Sequence, residues 1–207
     1  GADYQVAGAV AEAASGKTWA ELVDEIFVQP CGLEVLAYNS PWFQLPFDPE
    51  TFSYPDVGDD VVSLLAPTEN PSIQAGAYAT AADYAALLLM HLRDGMCGDE
   101  RVLSTESLDR MQEDRIARVY DGGNAVRDPE TWLPTGEVWG YGMGWVIDRG
   151  VGDGRRGMAT PFGQQAFIDV DTGYAGVLLL EASFVDGFAL YDLVPDALHE
   201  AVLTSRG

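Results

Sequence analysis

Apolar positions along the chain follow two periods. Between Gln5 and Ala14, residues Val6, Ala7, Val10, Ala13 and Ala14 keep the spacing that gathers side chains on one helix face, and Ser15-Gly16 supplies a stop. Thr18 with Glu21 makes a capping-box pattern ahead of Trp19, Leu22, Val23 and Ile26, and Pro30-Cys31-Gly32-Leu33 ends that helix. A stronger helix is predicted from Ala81 to Arg93. Thr80 caps it, Asp83 sits at the positive end of its dipole, Gly95 follows its last turn, and Tyr84, Leu87, Leu88 and Leu92 form its core face. Ser104 opens a further helix with Leu108 and Met111 inward. Val194 to Leu203 closes the chain as a helix, with Pro195 tolerated in its first turn. His91 is expected to favour its helix C-terminus as a partly charged imidazole, and His199 to be a surface bystander.

The second period belongs to strands. Tyr141 to Asp148 and Gln164 to Val170 carry aromatic and β-branched residues, and Tyr174 to Leu180 is an almost unbroken apolar run. Asp171-Thr172-Gly173 has the chemistry of a tight hairpin between the last two. A glycine-rich, doubly basic loop, Gly150 to Gly163, joins the first two and is more decorated than a turn requires. Neither period holds from Glu34 to Ala75, where prolines alternate with Trp42, Phe43, Phe47, Phe52 and Tyr54. This stretch reads as an irregular insertion over the surface whose aromatics either line an apolar cleft or fasten the loop to the body. Asp114 to Glu137 is polar and reads as a surface loop.

Composition narrows the function classes. The 207 residues are 47% hydrophobic, enough for a sizeable core, and no apolar run reaches the length of a membrane-spanning helix. A formal charge of −22, with Lys17 the only lysine, repels phosphate backbones and anionic lipid, so neither nucleic acid nor membrane is an expected partner. The acid excess reads as a solvated surface suited to a salty environment, or as a face for a cationic partner or Ca²⁺. Asp169 to Gly173 lacks the remaining ligands of a calcium loop, and no metal site is expected. Cys31 and Cys97 either pair or remain free buried thiols.

The order of pieces resembles the C-terminal two-thirds of the class C β-lactamase-like serine hydrolases, which include β-lactamases, family VIII esterases and D-aminopeptidase relatives. Four stretches carry the likeness: Tyr4 to Lys17 (YQVAGAVAEAASGK), Pro30 to Leu33 (PCGL), Ala75 to Leu103, and Tyr141 to Leu180 with its YGMGW and FGQQAFIDVDTG. The resemblance implies an α/β (α+β) fold of the β-lactamase/transpeptidase type, with an antiparallel sheet flanked by helices. Residues 1–207 then form the C-terminal part of one domain, and 34–75 is an insertion over the cleft. It further implies acyl-enzyme chemistry on a small-molecule ester or amide without a cofactor, and slightly favours an extracellular or periplasmic location.

Family chemistry uses a Ser-x-x-Lys pair, a Tyr-x-Asn loop and a Lys-Thr-Gly or His-x-Gly strand, because a serine hydroxyl needs a base and the oxyanion needs preorganised donors. Lys17 has Ala14 three residues before it, so no Ser-x-x-Lys exists here. Nucleophile and base are therefore expected on a separate N-terminal segment acting as a second chain. Tyr4 matches the structural tyrosine that follows the Tyr-x-Asn loop, which puts Gly1 in the asparagine position and the catalytic tyrosine upstream. The closing strand is represented by Arg155-Arg156-Gly157 on the Lys-Thr-Gly position, with Met158 offering the oxyanion N–H. Either arginine suits a substrate carboxylate. The competing reading makes both arginines solvated loop charges and shifts the motif to Met158-Ala159-Thr160. A catalytically inactive relative that keeps the fold as a binding module is the alternative function.

Overall fold

The computed structural model describes residues 2–38, 70–74, 76–115, 125–126, 138–148, 154–159, 164–180 and 184–206. The chain divides into two compact units, Gly1–Leu87 and Leu88–Gly207. Most of the proline-rich stretch, including Trp42, Phe43, Phe47, Phe52 and Tyr54, lies outside the described residues.

In the first unit, helix α1 (Ala2–Ser15) ends at Gly16, whose φ of +72° is the left-handed conformation that glycine adopts without steric cost. Its glycine-sized point of approach is Gly8, which is buried against Ile73. Gln5 pins the same neighbour: its amide donates to the Pro71 carbonyl at 3.1 Å and its oxygen accepts from the Ile73 N–H. Val6 and Val10 of this helix are 63% and 62% exposed.

The capping box forms as expected. Thr18 Oγ1 accepts from the Glu21 N–H, and the Glu21 carboxylate accepts from the Thr18 N–H at 2.8 Å, which lowers its pKa. Helix α2 (Trp19–Val23) widens into a π-helical stretch, Asp24–Val28, and closes in a short turn, α3 (Gln29–Cys31), stopped by left-handed Gly32. Lys17 pairs with Glu25 of the π stretch. Strands β1 (Ala37–Tyr38) and β2 (Ala77–Tyr78) pair antiparallel, with Trp19 edge-on to Tyr38.

Helix α4 (Ala81–Leu92) is capped by Thr80, as expected. Asp83 does more than face the helix dipole. Its carboxylate accepts the Glu34 and Val35 N–H groups at 3.0 Å each and the Thr80 hydroxyl at 2.8 Å, and these bonds hold its pKa down.

The second unit starts with the last turns of α4, where Leu88 and Met90 are almost fully buried. Asp94 and Gly95, both at positive φ, turn the chain into a small hairpin of β3 (Met96–Cys97) and β4 (Glu100–Arg101). Helix α5 (Thr105–Gln112) follows behind its Ser104 cap and buries Leu108. Among the described residues the main sheet has six antiparallel strands in the order β10-β9-β8-β7-β6-β5: β5 (Ala125–Val126), β6 (Val138–Tyr141), β7 (Val146–Asp148), β8 (Arg155–Ala159), β9 (Gln165–Asp169) and β10 (Tyr174–Leu178). Its core is Ile168, Ala166, Phe167, Ile147 and Trp145. Helix α6 (Phe184–Arg206) packs on β9 and β10. Among the described residues no helix is long and apolar enough to cross a membrane.

Several expectations are corrected here. The strand read from Tyr141 to Asp148 is a hairpin, β6 and β7. Gly142 donates to the Trp145 carbonyl at 2.8 Å and lies so close to the Met111 carbonyl that no side chain fits. The basic loop after it contains strand β8, and the polar stretch 114–137 contributes β5. The terminal helix begins at Phe184 rather than Val194, leaving Pro195 in its interior. Packing on the sheet outweighs those local signals. Cys31 and Cys97 are both disulfide-bonded, which settles the alternative left open.

Candidate functional site

Strand β8 carries the residues singled out in the sequence, and its neighbours fix what each can do. Opposed residues of antiparallel strands share a face, so Arg155, Asp169 and Tyr174 form one cross-strand row, and Gly157, Phe167 and Gly176 form the next row on the same face. The Phe167 ring meets Tyr174 edge-on at 5.7 Å, and a methyl group on Gly176 would run into it. Arg156 and Ile168 belong to the other face.

The two arginines therefore separate. Arg155 has a side chain only 8% exposed, and both its Nη1 and Nη2 donate to Asp196 Oδ1 on α6 at 3.1 Å. It also hydrogen-bonds the Tyr174 hydroxyl. Its guanidinium is thus engaged by the terminal helix. Arg156, half-buried, lines a cleft of about 420 Å³ on the opposite face, together with His91, Asp109, Gln112, Glu113 and Val170. Gly157 is buried in the middle of the strand. The ladder between β8 and β7 reaches Gly157, whereas that between β8 and β9 continues to Ala159, so Met158 lies beyond the register of β7. Gly1 lies outside the described residues.

Both histidines depart from expectation. His91 packs edge-on against Trp145 at 5.0 Å, and burial drives its pKa down to about 4, so the imidazole is neutral near pH 7 and no cationic helix cap. Among the described residues its buried Nδ1 has no hydrogen-bond partner. His199 is no bystander. Its Nδ1 lies 3.8 Å from Asp169 Oδ2 and its ring leans on Tyr174 at 5.9 Å.

Sequence reading missed Asp169, Asp196 and His199 as one cluster. Asp169 Oδ1 accepts the Asp171 and Thr172 N–H groups at 3.1 and 2.9 Å, which is the hairpin chemistry that was legible. The available signal for the rest was the three-residue spacing of Asp196 and His199, which places both on one helix face. Among the described residues, no group of three or more His, Cys, Asp or Glu converges to hold a metal ion.

Solved structures show the fold. A beta-lactamase from Mycobacterium bovis superposes with a TM-score of 0.64 at 15% identity, covering 96% of this chain and 62% of its own. Simvastatin synthase from Aspergillus terreus gives 0.61 at 16%, covering 86% of this chain and 48% of its own. EstCE1, a hydrolase with promiscuous acyltransferase activity, gives 0.59 at 20%, covering 86% of this chain and 49% of its own. The chain thus spans about half of two of these proteins and 62% of the third. Its fold is the β-lactamase/transpeptidase-like one. Among curated proteins none matches the chain. The Beta-lactamase family model matches residues 1–199, nearly the whole length, and the chain therefore belongs to the beta-lactamase family.

Proposed function

We propose that this chain supplies the closing-strand half of an acyl-transferring serine hydrolase of the esterase, amidase, β-lactamase or D-peptidase type. The nucleophilic serine and its lysine are carried by an N-terminal segment, present as a second chain. The observation that carries this reading is strand β8: a glycine held at the centre of an antiparallel ladder, followed by Met158 beyond the register of β7. A backbone N–H held in a ladder on one side and just past its end on the other is rigid before substrate arrives, as an oxyanion donor must be. In this reading Met158 supplies that N–H, and Arg156, on the strand face that lines the cleft, contributes to binding a carboxylate of the substrate. In this reading Arg155, engaged by Asp196, supports the strand. The lack of Ser-x-x-Lys around Lys17 supports placing nucleophile and base on another segment.

Full-length protein treated with a fluorophosphonate or penicillin probe is expected to form a covalent adduct on a serine outside these 207 residues. Peptide mapping by mass spectrometry locates it. The engagement of Arg155 by Asp196 favours one second reading, an inactive relative that binds without acylation. Intact protein with no adduct after prolonged exposure supports that alternative and rejects the hydrolase.

A further inference from the structure

We propose that Asp196 and His199, one turn apart on α6, clamp the Arg155–Asp169–Tyr174 row and thereby set the position of β8, making Arg155 and Asp196 positioning residues for the Gly157–Met158 backbone. The assignment to catalysis rests on the reading of β8 given above. The clamp itself rests only on geometry.

Three strands contribute one residue each to the row, and the helix answers with two. Arg155 on β8 reaches Asp196 through both terminal nitrogens and also bonds Tyr174 on β10. Asp169 on β9 lies between them in register and faces His199. A guanidinium buried to this degree is costly without compensating acceptors, so the Arg155 contacts are a condition of β8 lying where it does. Met158 is three residues from Arg155 in a strand, about 10 Å along one rigid rise. Any slip of Arg155 is therefore passed to Met158 with little loss. The next row stiffens the link, because Phe167 bears on both Tyr174 and Gly176, with Leu198 of α6 beside that glycine.

The test uses the full-length protein, with p-nitrophenyl acetate as the probe of turnover and amide hydrogen exchange as the probe of β8. Asp196→Ala is expected to lower kcat about tenfold with KM changed less than twofold, and to speed exchange at Gly157–Ala159 while β6 and β7 keep their protection. Asp196→Glu is expected to restore most of both. If Asp196→Ala does not fold, Asp196→Asn, which keeps the shape and removes the charge, takes its place. Unchanged exchange at Gly157–Ala159 in the charge-removing variant overturns the clamp. Faster exchange with unchanged kcat overturns the positioning role. Wild-type protein that neither turns over the ester nor forms an adduct rejects the hydrolase reading, and the exchange comparison still decides the clamp.

Discussion

His91 shows most directly how burial changes what a residue does. In the unfolded chain an imidazole takes up a proton near pH 6.5, whereas in the fold burial delays this to about 4. Between those values the unfolded state binds more protons, so stability is full above about pH 6.5 and falls as pH drops toward 4. Between pH 7 and pH 5 this single site is expected to cost about 2 kcal/mol. His91→Phe keeps a ring against Trp145 and removes the proton site. Urea denaturation at the two pH values should show a smaller loss for the variant, by about that amount; equal losses would mean that His91 is solvated. The sequence placed His91 correctly in the last turn of its helix. It did not show the Trp145 ring, because that contact joins residues 54 positions apart.

At the scale of elements, the close pairing of β9 with β10 depends on an absent side chain. Gly176 leaves room for the Phe167 ring, and a methyl group there would be driven into it and toward Leu198. Gly176→Ala is expected to destabilise the protein by about 1–3 kcal/mol, the usual cost of overpacking a rigid core, read as a lower urea midpoint at unchanged slope. Local chemistry made many elements legible in advance. The caps at Thr18, Thr80 and Ser104, the hairpin at Asp171-Thr172-Gly173 and the strands β9 and β10 all follow from neighbouring residues. Elements that depend on distant partners were not legible. Strand β8 sits among glycines and arginines with poor strand propensity, and it is extended because β7 and β9 lie on either side. Helix α6 runs through Pro195 because it lies on the sheet. The candidate site divides in the same way: sequence order pointed to residues 155–158, but only the alternation of faces separated Arg155 from Arg156.

For the whole molecule, charge and sheet edge act against each other. Strand β10 is one of the two outer strands of the six, and among the described residues no strand pairs with its far side. Main-chain donors and acceptors along such a border join any extended peptide, whatever its side chains. A net charge of −22 keeps like copies apart at neutral pH and low ionic strength. As the solution approaches the isoelectric point near 4.1, or as salt shortens the reach of that repulsion, copies of the isolated 207-residue chain are expected to associate. Light scattering across a pH and salt series would register this as growth of large particles, and a flat trace down to the isoelectric point would argue against it. A companion segment that lent its own strand to this border would remove the hazard. Reconstituted with such a segment, the preparation should stay clear under the same acid and salt conditions, so turbidity can report assembly without any knowledge of the substrate.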